Sequence, residues 1–254
     1  MSVEFVITLG DVIVYFIAVA YAALVLVIGD VGRRKLGLGA DFTRKIIHLF
    51  AGAAIWTVPY YPHPWVATLV ASTFVIMLGL ASTERFSNFF AAMARPEDIE
   101  HGSVRGPFWY AVSITFLTGL FTFTGFENIY FLAAAGIHIM MLGDGLSAPI
   151  GIRYGTNSTR VVFGSKRSTH GCLAVFVFGL IGALVSFWFF GIVNYGAFVE
   201  NGTVLWIPMI LLGIVGATAA TLIELVSPKG SDNVTVPILT TAIMWIVAVV
   251  IGIL

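Results

Sequence analysis

All thirteen lysines and arginines of this 254-residue chain fall in four alternate connections between long apolar stretches, a segregation that restricts the fold more than any motif does. The groups are Arg33, Arg34, Lys35, Arg44 and Lys45; Arg85, Arg95 and Arg105; Arg153, Arg160, Lys166 and Arg167; and Lys229 alone. The connections between them, around 61–64, 125–128 and 195–203, carry none, and neither do the two ends. Cationic loops are retained on the cytoplasmic side of a bilayer, so the four basic connections are expected to face the cytoplasm.

A spanning helix needs about 20 mostly apolar residues. Eight stretches qualify, at roughly 4–29, 44–61, 64–83, 107–125, 128–150, 171–194, 203–226 and 233–254. An even number with a basic first connection puts both termini on the non-cytoplasmic side. With 59% hydrophobic and 10% charged residues and a mean hydropathy of +0.98, too little polar surface remains for a water-soluble globule. The expected fold is therefore all-α: a polytopic integral membrane bundle of about eight transmembrane helices, with the whole chain, 1–254, as one membrane-embedded domain. The first stretch contains Glu4 and Asp11 and has no basic n-region, which marks a retained helix rather than a signal peptide. Gly213 with Ala217 and Gly216 with Ala220 stand at helical spacing and allow close helix contact in lipid. The lone Cys172 is read as a small packing residue, and it excludes an intrachain disulfide.

Thirteen acidic residues balance the thirteen basic ones. Net charge is uninformative, but its distribution assigns any polyanion to the cytoplasmic side. The cations are dispersed over short loops without an aromatic stacking platform, which argues against nucleic acid and for a nucleotide or lipid phosphate. Phe86, Phe89, Phe90 and Met93 recur at helical spacing and form an interfacial amphipathic stripe.

Chemistry is expected where polar residues enter apolar segments. Arg44, Lys45 and His48 open the second stretch, with Arg44 and His48 four residues apart on one helix face. Ionisable groups at membrane depth are usually functional, which singles out His48. The fifth stretch ends in Gly143-Asp144-Gly145-Leu146-Ser147-Ala148-Pro149. A carboxylate there must be paired, protonated or metal-bound, and its hard oxygens suit Mg²⁺. Glycines on either side let backbone approach a ligand. Further on, Lys166, Arg167, Ser168 and Thr169 lead into the sixth stretch, where two cations, two hydroxyls and backbone N–H groups at a helix N-terminus make an anion site. Glu224 closes the seventh stretch, while Asp232 and Asn233 open the eighth with Asn233 as its cap.

These segments, in this order and on one side of the membrane, resemble the CTP-dependent lipid-alcohol kinases, the family that includes dolichol kinase, phytol kinase and CTP-type diacylglycerol kinase. The resemblance rests on Arg44-Lys45-x-x-His48, Arg105-Gly106-Pro107 with Trp109-Tyr110, Gly143-Asp144-Gly145 with Ala148, Gly151 and Gly155, the loop from Lys166 to Gly171, and Glu224 with Asp232, Asn233 and Pro237. That loop departs from the family's usual Lys-Ser-x-Glu/Ala-Gly by the additional Arg167 and by His170. The resemblance implies a single membrane-embedded catalytic domain that transfers the γ-phosphoryl group of CTP to a membrane alcohol, such as a polyprenol, dolichol, phytol, geranylgeraniol or diacylglycerol.

Within that reading Mg²⁺ is the cofactor, held by Asp144 and Asp232 with Glu224. Arg44, Lys45, Lys166, Arg167, Ser168, Asn233 and the backbone at Gly143 and Gly145 hold nucleotide and phosphate. Lys166 also neutralises the transferring group, and His48 is the candidate base. Two other readings are a CTP-dependent cytidylyltransferase making a CDP-activated lipid and a small-anion transporter. The first lacks here the Lys-Asp and Asp-Arg-x-Asp pattern associated with it. The second would favour broken helices at the membrane midplane, whereas the polar residues here gather at one face.

The topology has a direct test. In a Cys172→Ala background, cysteines introduced at Ser2 and Ser231 should label from opposite sides of sealed vesicles, and labelling from the same side would contradict the arrangement.

Overall fold

The computed structural model describes residues 5–81, 105–228 and 230–254. Glu4, the stripe of Phe86, Phe89, Phe90 and Met93, the cations Arg85, Arg95 and Lys229, and the side chains of Arg44 and Arg105 lie outside the described residues.

Apolar runs in lipid must satisfy their backbone internally, so they coil into helices. Among the described residues there are eight α-helices: α1 (Leu9–Leu36), α2 (Ala40–Ala51), α3 (Ala67–Ala81), α4 (Arg105–Phe123), α5 (Phe131–Tyr154), α6 (Thr169–Ser186), α7 (Trp206–Val226) and α8 (Asp232–Val250). Six described helical stretches are long and apolar enough to cross a membrane: α1, α4, α5 with its leading turn, α6 with its π-type extension to Asn194, α7 and α8. The stretches expected at 44–61 and 64–83 take shorter forms. The first divides at Gly52 into α2 and a 3₁₀ run, Gly52–Tyr60, that contains Pro59. The second begins with a 3₁₀ turn at Pro64–Val66 and gives only the shorter apolar helix Pro64–Leu80. Prolines 59, 62 and 64 withdraw backbone donors where two continuous spans would have met.

Two compact units divide the chain, Met1–Phe123 and Thr124–Leu254. In the first, Asp11 explains itself. It forms a capping box with Thr8 at the start of α1, and its fully buried carboxylate accepts the backbone N–H of His63 at 2.9 Å while facing His63 Nδ1 at 2.9 Å. An acidic residue inside the first apolar stretch thus ties α1 to the 61–64 turn. Val25, Ile47, Leu78 and Ala111 form this unit's core cluster.

In the second unit α5 is the axis, its side chains from Phe131 to Met141 all buried. Small residues set the helix spacing around it. A Cβ on Gly182 of α6 would stand 2.7 Å from the His138 carbonyl oxygen, and one on Gly136 of α5 would stand 2.7 Å from that of Pro237. Gly213 faces the Leu180 side chain, Gly179 faces Ala217, and Gly216 faces Met244, so the small residues read from the α7 sequence do bring helices close. Two short antiparallel hairpins interrupt the helices. One pairs β1 (Arg160–Val162) with β2 (Ser165–Arg167), and the other pairs β3 (Val199–Glu200) with β4 (Thr203–Val204) around Asn201-Gly202. Asn201 and Gly202 both have positive φ, which is the turn geometry that Asn-Gly favours between strands.

Which atoms the glycines meet predicts which substitutions matter. Gly182→Ala pushes a methyl into α5 backbone that cannot yield, and should cost about 1–3 kcal/mol. Gly213→Ala meets only the flexible ends of Leu180 and Leu184 and should cost well under half as much. Thermal unfolding in detergent should therefore show Gly182→Ala several degrees below Gly213→Ala.

Candidate active site

The polar residues at the ends of α5 to α8 are organised by the β1–β2 hairpin. Its strands pair Arg160 with Arg167, Val161 with Lys166 and Val162 with Ser165, leaving Phe163-Gly164 as a two-residue loop. Both loop residues have positive φ, 46° and 79°, the geometry that matches the twist of paired strands. Adjacent strand residues point to opposite faces. Lys166 is exposed on one face, whereas Arg167 is turned inward on the other.

Arg167 meets two carboxylates. Its Nη1 donates to Glu224 Oε1 at 2.6 Å, at the end of α7, and its Nη2 lies 3.6 Å from Asp232 Oδ2, at the start of α8. Side-chain exposures of 13%, 7% and 13% for Arg167, Glu224 and Asp232 make this a largely buried ion cluster, so its charges are poorly screened by solvent. Arg167 Nε and Nη2 are themselves buried and have no hydrogen-bond partner among the described residues. Asp232 Oδ1 accepts the N–H of Asn233 at 3.0 Å. Ser231, not Asn233, occupies the cap position of α8; Asn233 lies within the first turn and is buried. The turn between the helices is closed by Ser227 Oγ and Thr235 Oγ1, 2.6 Å apart.

The loop before α6 is fastened from beneath. Ser168 caps α6, its Oγ accepting the Gly171 N–H at 3.1 Å, and Ser158 Oγ accepts the Thr169 N–H at 3.2 Å. Two of the helix N-terminal N–H groups expected to bind an anion are thus taken by hydroxyls of the chain. Ser168 itself is buried against three glycines: a Cβ on Gly155, Gly151 or Gly171 would meet its Oγ. Gly143 is likewise a packing glycine, since its Cβ would stand 3.3 Å from the Val175 carbonyl oxygen. The spacing of Gly143, Gly151 and Gly155 therefore lets α5 and the α6 cap approach each other.

Asp144 is half-buried within a helix that continues to Tyr154, with Pro149 inside it. Proline has no N–H, so the Gly145 carbonyl receives no bond from position 149. In the other unit, Lys45 is buried and His48 is half-buried, the His48 ring stacked on Tyr110 with centroids 4.1 Å apart and planes 28° apart. The structure thus joins Arg167, Glu224 and Asp232 directly, with Asn233 beside them.

Among the described residues no three His, Cys, Asp or Glu side chains gather into a group that could hold a metal. The available donors, carboxylates and an amide at helix ends, are nonetheless the hard oxygens that Mg²⁺ accepts. They suit its usual binding through one or two carboxylates together with substrate phosphates. The Arg167 pairing was not read from the sequence. Its signal was Glu224, an acidic residue at the edge of an apolar helix that required a cation.

Three relatives share most of the chain's length. The phytol kinase of Synechocystis sp. is 28% identical over 229 residues, covering 90% of this chain and 89% of its own. The Zea mays protein described as "Probable phytol kinase, chloroplastic" is 24% identical over 249 residues, covering 93% and 76%. The Glycine max protein described as "Probable phytol kinase 2, chloroplastic" is 24% identical over 240 residues, covering 93% and 75%. No protein-family profile and no solved structure matches the chain.

Gly155 offers a test of the fastened hairpin. Gly155→Ala places a methyl against Ser168 Oγ and 2.6 Å from the Gly151 carbonyl oxygen. It should loosen the α6 cap at a cost of about 1 kcal/mol and speed tryptic cleavage after Arg160 and Lys166. A cleavage rate equal to that of the unsubstituted protein would contradict this role.

Proposed function

We propose that this chain, a relative of the phytol kinases and with them a member of the lipid-alcohol kinase family, phosphorylates a long-chain isoprenoid alcohol with CTP. Phytol or geranylgeraniol is the first acceptor to try, ahead of polyprenol, dolichol and diacylglycerol, because the three relatives are phytol kinases by description. The observation that carries the reading is the buried cluster of Arg167 with Glu224 and Asp232 at the ends of membrane helices. A hydrophobic alcohol can reach such a place from the bilayer and a nucleotide from water.

In the proposed reaction the alcohol oxygen attacks the γ-phosphorus. A new O–P bond forms, the bond between γ-phosphorus and the bridging oxygen breaks, and its electron pair leaves on CDP. Catalysis of this kind is mainly positioning and charge neutralisation. Arg167, with Lys166 on the other face of the hairpin, would offset phosphate charge. By the sequence resemblance alone, Arg44 and Lys45 would add to that neutralisation and His48 would take the hydroxyl proton. Asp144 and Asp232 would hold Mg²⁺, which when bound supplies further neutralisation of the phosphates. The Gly143–Gly145 backbone and Asn233 would lie along the nucleotide, with Ser168 supporting the loop from below.

The side of the membrane belongs to the same proposal. The basic connections would face the cytoplasm, with the site on that side and both termini on the other. Eight passages result if α2 with its 3₁₀ extension, residues 40–60, and α3 with its leading turn, residues 64–81, each cross.

Purified protein supplied with CTP or ATP, Mg²⁺ and a panel of phytol, geranylgeraniol, polyprenol and diacylglycerol should release nucleoside diphosphate with at least one alcohol. Asp144→Asn and Asp232→Asn should each reduce turnover by about a hundred-fold or more while leaving a folded, extractable protein. Turnover within a few-fold of the parent would remove that carboxylate from the site, and release of pyrophosphate in place of the diphosphate would replace the kinase reading with a cytidylyltransferase.

A further inference from the structure

Arg167 uses only part of its hydrogen-bonding capacity. A guanidinium presents five N–H groups in a rigid planar fork. In this structure Nη1 is committed to Glu224, whereas Nε and Nη2 have no hydrogen-bond partner among the described residues. Nε and Nη2 are the two nitrogens whose N–H bonds run parallel along one edge, which is the edge that grips two oxygens of a phosphate or carboxylate side-on. Asp232 Oδ2, at 3.6 Å from Nη2, balances the charge from beyond hydrogen-bonding distance.

Buried N–H groups are nearly always bonded in folded proteins. An edge carrying two such groups, on an arginine held at its far nitrogen by a 2.6 Å contact to Glu224, is arranged for an acceptor from outside the chain. Resting on the kinase reading above, we infer that Glu224 is a positioning residue rather than a metal ligand: it clamps Nη1 so that the Nε–Nη2 edge of Arg167 receives a phosphate oxyanion of the donor nucleotide. The α7 carboxylate then acts through the arginine, Asp232 keeps the cluster near neutrality before the nucleotide arrives, and the hairpin supplies the reach. Lysine could not substitute, because a single ammonium cannot be clamped at one nitrogen while presenting a two-donor edge.

Steady-state kinetics of four variants separates this role from its rivals. In Glu224→Gln, measured at saturating Mg²⁺ and alcohol, the nucleotide KM should rise about ten-fold or more. The alcohol KM and the Mg²⁺ half-saturation point should stay within about two-fold. Arg167→Lys should show the same pattern. The double variant Arg167→Met/Glu224→Met removes both charges together, a change that ion clusters tolerate better than loss of one partner. Its nucleotide KM should equal that of Arg167→Met, since Glu224 has nothing to clamp once the arginine is gone.

A readout independent of turnover comes from Cys172, the chain's single cysteine, which lies in the first turn of α6 five residues after Arg167. CTP without alcohol should slow its modification by N-ethylmaleimide in the parent protein and not in Arg167→Lys. That pattern in a protein inactive toward every alcohol would uphold the arginine site while refuting the kinase reading. A rise in the Mg²⁺ half-saturation point with unchanged nucleotide KM would make Glu224 a metal ligand and overturn the inference. Unchanged constants in both Glu224→Gln and Arg167→Lys, or a shift confined to the alcohol KM, would overturn it equally.

Discussion

A guanidinium enclosed among membrane helices must find carboxylates, and most of the site's arrangement follows from how Arg167 does so. Glu224 comes from the end of α7 and Asp232 from the start of α8, so one cation on a short hairpin fixes three separate segments of the chain. Removing one partner from such a buried cluster costs about 3–5 kcal/mol, because the remaining charge is left uncompensated. The cluster is nonetheless a poor choice if stability were its purpose, since well-packed apolar residues of the same volume commonly stabilise as well or better.

The surrounding helices bring Arg167 to that position by close contact. Gly182 lets α6 lie against the α5 backbone at His138, and Gly151, Gly155 and Gly171 surround the Ser168 hydroxyl where α6 begins. The cap at Ser168 and the hydroxyl of Ser158 then consume backbone N–H groups that a phosphate would otherwise have claimed. The cations left near the cap are side chains, Arg167 within the cluster and Lys166 on the outer face of the hairpin. Two neighbouring cations that look equivalent in sequence are made inequivalent by the alternation of a strand.

Much of the helical framework was legible because hydrophobic length and the distribution of Lys and Arg record the bilayer directly. The spans at α1, α4 to α8 and the small-residue contacts of α7 were readable on that basis. The short segments at 40–60 and 64–81 were not, because composition alone does not register how Gly52 and the prolines at 59, 62 and 64 divide an apolar run. The β1–β2 hairpin also escaped, since Phe163 occupies a positive-φ turn position where asparagine or aspartate is the usual signal. In contrast, Asn201-Gly202 carries that signal openly. For the site, the identity of the acidic residues was visible as charge out of place. Their pairing with Arg167 was not, because it joins residues 57 positions apart whose proximity depends on the packing of α6 against α7.

Whether this membrane protein moves a terminal phosphoryl group onto a lipid hydroxyl is decided by following the phosphorus. Purified protein incubated with geranylgeraniol or phytol and Mg²⁺ would receive CTP labelled either at the γ- or at the α-phosphorus, and the organic phase would be assayed for label. The γ-label should enter the lipid and the α-label should not. Transfer of α-label, or transfer of neither with any alcohol in the panel, would contradict the kinase reading.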